Sequence, residues 1–462
     1  MTEKLLSLDD ALKLNRKQVR QYYEQYINPG LANLLGLLDF DKQFVRAQGV
    51  SVWDSEGHEY LDFLGGYGAL NIGHNHPRVI AALEKVRSLP NFLQASMGTL
   101  ASALAHNLAQ ITPGDLGRSF FGNSGAEAVE GALKLARAAT KKPRIIYTEG
   151  SFHGKTFGAL SVTGRAKYQT AFGPLVPGTD AVPFGDLNAL EEKLRSKDVA
   201  AFIVEPIQGE GGVKVPPAGY LKGALELCHR YEALLILDEI QTGFGRTGRM
   251  FAAEFEEVVP DVMCVAKSLG GGIMPIGAYI ARPEVWDRAY GGIDRALLHT
   301  STFGGNSWAA AAGLAAIEVI LEENLPEEAA QKGEYFLGRL RDLQSRFPLI
   351  KEVRGRGLLI GLEFEKPTKG WVDRLTGGAV NKLSEEYLGA MVAGELQNRH
   401  RIITAYTLNN PNVIRLEPPL TVTYQQIDRV VEALEDIFTR HRGLLSFTVA
   451  TAKTAVGSML RR

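Results

Sequence analysis

The sequence predicts an α/β protein with one large domain around a mostly parallel sheet and a smaller α+β domain assembled from both chain ends. Two observations carry this expectation. From about residue 80, apolar runs of 4–6 residues alternate with helix-length segments, and each run is apolar on both faces, as in a sheet covered by helices on either side. The 462 residues, 45% of them hydrophobic, are enough for two to four domains at ~100–200 residues each, so a large core and an interdomain or intersubunit cleft are both available. A small binding module is excluded.

Residues 1–40 read as a polar, helical N-terminal arm that becomes loop-like at Asn28-Pro29-Gly30. From Val50 to Phe63, apolar and polar residues alternate around Ser55-Glu56-Gly57-His58, the pattern of a β-hairpin. Buried strands are expected at Arg118 to Phe121, Arg144 to Tyr147, Ala200 to Glu205, Leu234 to Asp238, Val262 to Ala266 and Ile276 to Ile280, with a helix from Pro217 to Tyr231 among the intervening segments. A long helical stretch from Trp308 to Ser345 follows, then a strand from Val353 to Phe364, and the helix Tyr424 to Arg440 closes the pattern. The expected division is 1–79 for the arm and the first part of the small domain, 80–340 for the large domain, and 341–462 for the rest of the small domain.

Lys and Arg number 51 against 52 Asp and Glu, so no overall positive field attracts a polyanion, and the densest basic run, Lys141, Lys142 and Arg144, is too short for nucleic-acid binding. Cys228 and Cys264, the only two cysteines, offer neither a disulfide framework nor metal-ligand spacing. No apolar run reaches the ~20 residues that span a bilayer, and the charged stretch Met1 to Lys17 has no apolar core. The chain therefore reads as cytoplasmic and untargeted, without a membrane or nucleic-acid partner. His74 and His76 lack an accompanying acid or cysteine cluster, so no metal site is expected.

Several patterns carry chemistry. The run Leu234-Leu235-Ile236-Leu237 ends in Asp238, which puts a carboxylate at the C-terminal edge of a central strand, where open α/β sheets bind ligands; it suits a charged ring nitrogen or, alternatively, a cap. A second run, Val262 to Ala266, ends in Lys267 before Gly270-Gly271-Gly272. A lysine leaving a buried strand is partly desolvated, its pKa is lowered, and its free amine can form a Schiff base. Strand, turn and helix start meet at Gly122-Asn123-Ser124-Gly125-Ala126-Glu127, where backbone N–H groups and the helix dipole make an anion site. Gly243-Phe244-Gly245-Arg246-Thr247-Gly248 is formally G-x-G-x-x-G, but the glycines do not follow the strand directly, no long helix follows them, and Asp261 begins a strand instead of ending one. An NAD-dependent oxidoreductase is thus the disfavoured rival, beside a catalytically silent protein of the same fold.

Asp238-Glu239-Ile240-Gln241-Thr242-Gly243-Phe244-Gly245-Arg246-Thr247-Gly248, followed by Pro260-Asp261 and Ala266-Lys267-Ser268-Leu269-Gly270-Gly271-Gly272, resembles the signature of class III aminotransferases dependent on pyridoxal 5′-phosphate (PLP). The likeness extends to Asn123-Ser124-Gly125-Ala126-Glu127-Ala128, Phe152-His153-Gly154, Glu205-Pro206-Ile207-Gln208-Gly209-Glu210-Gly211-Gly212 and His299-Thr300-Ser301-Thr302-Phe303-Gly304-Gly305-Asn306. The resemblance implies fold type I with a seven-stranded sheet, residues 80–340 being the PLP-binding domain. It implies Lys267 as the Schiff-base lysine and proton shuttle, Asp238 on the pyridinium nitrogen, and Gln241 on the ring 3′ oxygen. Phe152 and Ile240 would cover the two ring faces, and Ser124, Gly125 and Ala126 would hold the phosphate. Thr302 would reach that phosphate from a neighbouring subunit, which makes a homodimer with shared sites, or a tetramer built from it. Arg415 would bind a carboxylate of 2-oxoglutarate or glutamate, and Glu210 would pair with it when the donor lacks one. A structural salt bridge from Arg415 to Glu417 or to another surface acid is the alternative. Tyr67, in Leu64-Gly65-Gly66-Tyr67-Gly68, would contact the amine or simply pack, while Glu205 and His153 have no assigned role.

Within the family, Tyr26-Ile27-Asn28-Pro29-Gly30, the Tyr67 loop, and Leu408-Asn409-Asn410 leading to Ile414-Arg415-Leu416-Glu417-Pro418-Pro419-Leu420 are most similar to putrescine aminotransferases. Ornithine and acetylornithine aminotransferases come next, and a 4-aminobutyrate-type ω-aminotransferase is a further alternative. Ser307-Trp308 departs from the proline usual in the family after Asn306. The implied reaction moves a terminal amino group of a putrescine-like diamine to 2-oxoglutarate, giving an aminoaldehyde and glutamate.

Overall fold

The computed structural model describes residues 5–91, 96–365 and 379–441. Met1 to Lys4 of the charged N-terminal stretch and the part of the expected small domain beyond residue 441 lie outside these described residues. In chain order the strands are β1 (Phe44–Gln48), β2 (Ser51–Asp54), β3 (Glu59–Asp62), β4 (Arg118–Gly122), β5 (Arg144–Thr148), β6 (Thr179–Val182), β7 (Val199–Val204) and β8 (Leu234–Asp238). They continue with β9 (Val262–Val265), β10 (Gly277–Ala281), β11 (Ile350–Arg356), β12 (Leu359–Phe364), β13 (Ile402–Ile403), β14 (Ala405–Tyr406) and β15 (Val413–Leu416).

Seven of them form the central sheet in the order β4-β10-β9-β8-β7-β5-β6. Pairing is parallel from β9 through β8, β7 and β5 to β6, whereas β10 runs antiparallel to both β9 and β4. Period-two alternation puts Leu235, Leu237, Met263 and Val265 into one hydrophobic core, and Leu234, Ile236, Val262 and Cys264 into another on the opposite face. Both faces are therefore dry, which is why these strands read as continuous apolar runs.

Two smaller sheets flank it, β1-β2-β3-β13 and β11-β12-β15-β14. The parallel pairing of β13 with β3 joins the two chain ends, Ile402 to Leu61 and Ile403 to Asp62.

Several elements differ from the sequence reading. Asn28-Pro29-Gly30 starts the helix Pro29–Leu37 instead of a loop: Asn28 caps it by accepting from the Leu31 N–H at 3.0 Å, and proline at the first helical position costs no hydrogen bond. The stretch from Trp308 to Ser345 is two helices, Ser307–Glu322 and Leu325–Arg346, interrupted by Asn324 in a left-handed conformation. Val353 to Phe364 is a hairpin, β11 and β12, that turns at Gly357 with φ +55°. The segment from Pro217 is helical only over Tyr220–Arg230. β6 is an additional edge strand.

Candidate active site

The parallel register of β8 with β9 sets Asp238 opposite Cys264, so the chain leaving β9 carries Lys267 past the same end of the sheet at which Asp238 sits. Both residues border a cavity of about 520 Å³. Asp238 is buried; it accepts the Ile240 N–H at 3.1 Å, and its second oxygen lies 2.6 Å from Nδ1 of His153. An ionised carboxylate can only accept, so Nδ1 carries the proton in this pair. Nε2 of the same ring is buried without a partner among the described residues.

Lys267 opens the 3₁₀ turn Lys267–Gly270 and has φ +47°, a left-handed conformation that costs a lysine energy. Burial lowers its ammonium pKa, the carboxylates of Glu417, Glu210 and Asp238 oppose that effect, and Arg415 adds to it.

A third side of the cavity is the start of the helix Gly125–Thr140. Ser124 caps it by accepting the Glu127 N–H at 3.2 Å, which leaves the amides of Gly125 and Ala126 without intrahelical carbonyls to bond. The turn is close-packed. A Cβ at Gly125 would stand 2.9 Å from Cδ1 of Ile240, and one at Gly277 would strike the Ser124 carbonyl. Phe152, Ile240 and Gln241 also line the cavity. The Phe152 and Gly209 amides donate to the two oxygens of Glu205 at 2.8 and 3.1 Å. Burial, aided by the charge of Asp238, pushes the Glu205 carboxyl up to about 7.

Tyr67, Glu210 and Arg415 are not among the residues lining this cavity; they form a cluster of their own beside it. Arg415, fully buried on β15, donates from Nη2 to Glu210, and its guanidinium carbon lies 5.1 Å from the centre of the Tyr67 ring. The alternative ion pair with Glu417 does not form. Arg415 Nε and Nη1 have no partner among the described residues. Burial raises the Glu210 carboxyl, but the charge and hydrogen bond of Arg415, the Leu408 N–H and the Lys267 charge together hold it below its usual range. Leu408-Asn409 clamps the cluster: the Leu408 N–H donates to Glu210 at 2.7 Å, and the Asn409 amide donates to the carbonyls of Gly150 and Ser151 just before Phe152.

Thr302 lies in the exposed loop between the helices Pro283–Tyr290 and Ser307–Glu322 and does not line its own chain's cavity. Its neighbour Ser301 accepts from Asn123, a cavity residue, at 3.2 Å. Gln241 donates from Nε2 to both oxygens of Glu417. That contact, and the one between His153 and Asp238, were not legible in the sequence.

The glycines of Gly243 to Gly248 face protein. Cβ atoms at Gly245 and Gly248 would stand 3.0 Å from Leu420 and Ala330, and the buried Arg246 donates to the Leu358 and Pro418 carbonyls and to Asn71. The loop is an internal packing junction, not a cradle for a dinucleotide. His74 is bonded to Asp62 at 2.9 Å.

The family model described as aminotransferase class-III matches residues 39–438. The chain belongs to the class III aminotransferases. Aminotransferase PigE of Serratia sp. is 41% identical over 454 residues, which cover 91% of this aminotransferase and 53% of that protein; the chain thus spans about half the length of this relative. The ornithine aminotransferase of Toxoplasma gondii superposes with a TM-score of 0.81 at 35% identity, over 96% of this chain and 98% of the other. Acetylornithine aminotransferase from Elizabethkingia anophelis gives 0.74 at 30% identity, over 93% and 100% of the two chains. The seven-stranded sheet is that of fold type I.

Class III aminotransferases use PLP, and a structure of the Toxoplasma enzyme is described with PLP at its active site. The cavity of this aminotransferase fits the group. It offers a partly desolvated lysine, a buried carboxylate for a cationic ring nitrogen, two free helix-start amides for a phosphate, and a volume in the ~300–1,000 Å³ range of cofactor sites.

Proposed function

We propose that this aminotransferase moves the terminal amino group of a putrescine-like diamine to 2-oxoglutarate, giving an aminoaldehyde and glutamate. The observation that carries the reading is the buried Arg415–Glu210 pair beside Lys267. A fully buried arginine whose one hydrogen-bonded side-chain partner among the described residues is a carboxylate can exchange that carboxylate for one of a substrate. With a diamine in the site, Glu210 neutralises Arg415; with 2-oxoglutarate, the guanidinium takes the incoming carboxylate. One pocket thereby serves two unlike substrates in turn.

Bound PLP supplies an electron sink for the bonds of the amine-bearing carbon. Asp238, held by His153, keeps a proton on the ring nitrogen. The Ser124, Gly125 and Ala126 turn would hold the phosphate, Phe152 and Ile240 would cover the ring faces, and Gln241 would meet the 3′ oxygen. Lys267 would hold the cofactor covalently, and its Nζ would carry the proton at the substrate carbon. Tyr67 borders the amine.

Thr302 would complete the phosphate site from a second copy of the chain, so the working unit is a homodimer, or a tetramer built from it. Support comes from the apolar surface next to that loop, where Ile293 is 98% exposed, Leu297 83% and Leu298 58%. The two cysteines are free and buried, which fits a reducing, cytoplasmic compartment.

The ornithine and acetylornithine aminotransferases superposed above favour a second reading, an α,ω-diamino acid donor. A panel of diamines, ornithine, acetylornithine and 4-aminobutyrate, each with 2-oxoglutarate and with glutamate as the readout, separates the two. The largest kcat/KM for a diamine supports the first reading, and the largest for ornithine or acetylornithine replaces it with the second.

A further inference from the structure

Beneath the cavity, the fully buried Glu417 accepts from Gln241 Nε2 at 3.0 and 2.9 Å, and no other hydrogen bond reaches its carboxylate among the described residues. Glycines from two distant segments clear the space for this contact. A Cβ at Gly68 would stand 2.5 Å from Oε1 of Glu417 and 3.3 Å from Cγ of Gln241, and one at Gly209 would strike the Gln241 carboxamide oxygen. Behind the pair, Arg246 approaches Glu417 at 3.9 Å while its own position is fixed by bonds to Leu358, Pro418 and Asn71. The Glu417 N–H is in turn tied to the Phe63 carbonyl at 2.8 Å.

A neutral amide could satisfy Gln241 without the desolvation that a buried carboxylate entails. A carboxylate does something an amide cannot: it only accepts, so it dictates which end of the Gln241 carboxamide faces it and which end faces the cavity. Two rigid glycine walls and an anchored counter-charge make that choice permanent.

We propose that Glu417 is a positioning residue, which acts through Gln241 to fix the hydrogen-bonding end presented to the cofactor ring. The proposal rests on the reading of Gln241 as a cofactor contact. Among the charges around Lys267, that of Glu417 most strongly opposes the effect of burial, and Glu210, Arg415 and Asp238 face the same amine.

The test is a double-mutant cycle on the holoenzyme with Glu417→Gln, Gln241→Ala and the pair, reading the PLP dissociation constant, the visible absorption maximum of the bound cofactor, and the melting temperature. Gln241→Ala and Glu417→Gln should each weaken PLP binding roughly tenfold, the loss expected for one hydrogen bond involving a charged group, and each should shift the absorption maximum. In the Gln241→Ala background, Glu417→Gln should change both quantities markedly less, the remainder being the direct action of the Glu417 charge on Lys267. Should Glu417→Gln not fold, Glu417→Asp keeps the charge facing Arg246 while withdrawing from Gln241, and should show the same weakened binding and shifted band. Additive effects, or a lowered Tm with unchanged affinity and spectrum, overturn the proposal. No effect of Gln241→Ala on PLP affinity overturns it as well, and identifies the assignment of Gln241 as the faulty step.

Discussion

Nδ1 of His153 lies 2.6 Å from a carboxylate oxygen of Asp238, and both side chains are buried. The pair joins the loop after β5 to the end of β8. A carboxylate in such a place needs a fixed donor, and the histidine supplies it. His153→Phe fills the volume but leaves an oxygen of Asp238 without its donor, so stability should fall by about 1–3 kcal/mol and kcat should fall with it. His153→Asn, which retains an N–H, should recover part of both. Urea melts and steady-state rates on the two variants decide; equal behaviour of Phe and Asn would show that only the ring's volume matters.

Among the described residues lining the cavity, Lys267 is the one lysine. Lys267→Ala should abolish glutamate formation while PLP still binds noncovalently through the helix-start turn. Borohydride reduction of the wild-type enzyme should leave the label on the peptide that contains Lys267, and residual steady-state transamination by the variant would refute its role.

Arg415→Lys replaces a planar fork with a single point charge. KM for 2-oxoglutarate should rise about 10–100-fold, since a charge-assisted bond of ~1.5–3 kcal/mol is lost, while KM for the diamine stays within about twofold, as neutral uniform binding is untouched. A matched rise in both constants would mean that the substitution disturbs the pocket and not carboxylate recognition.

Glu205 gives a pH dependence of known sign. Its carboxyl is raised to about 7 in the folded protein, so between the unfolded carboxyl range and that value the folded state holds a proton that the unfolded state has released. Stability from this group is therefore lost as pH rises through that window, by at most ~1.4 kcal/mol per pH unit. Glu205→Gln should flatten the decline between pH 5 and 7 in urea melts of the cofactor-free protein, at the cost of one backbone hydrogen bond. Parallel slopes for the two proteins would remove Glu205 from the account.

Much of the site was legible because strand ends are abrupt in sequence. Leu234 to Leu237 stop at Asp238, Val262 to Ala266 stop at Lys267, and parallel pairing brings both stops to one edge. What could not be read are contacts whose partners share no local pattern: His153 and Asp238 are 85 positions apart, Gln241 and Glu417 176. β6 escaped notice because Thr179-Asp180-Ala181-Val182 pairs on one side only and tolerates polar residues there. Asn28-Pro29-Gly30 was misread because the residues that punctuate turns also cap helices.

The reversed strand β10 has a consequence for how this pocket can vary. The cavity residues Met274, Pro275 and Ile276 lead into a strand, whereas Asp238 ends its strand and Lys267 follows its own. The ten residues from Lys267 to Ile276 therefore form one short tether, pinned at both ends by neighbouring strands, with the reactive amine at its start and a stretch of pocket wall at its finish. Shortening or lengthening that tether by a single residue would displace Lys267 and the pocket wall together, so one backbone span sets the position of both.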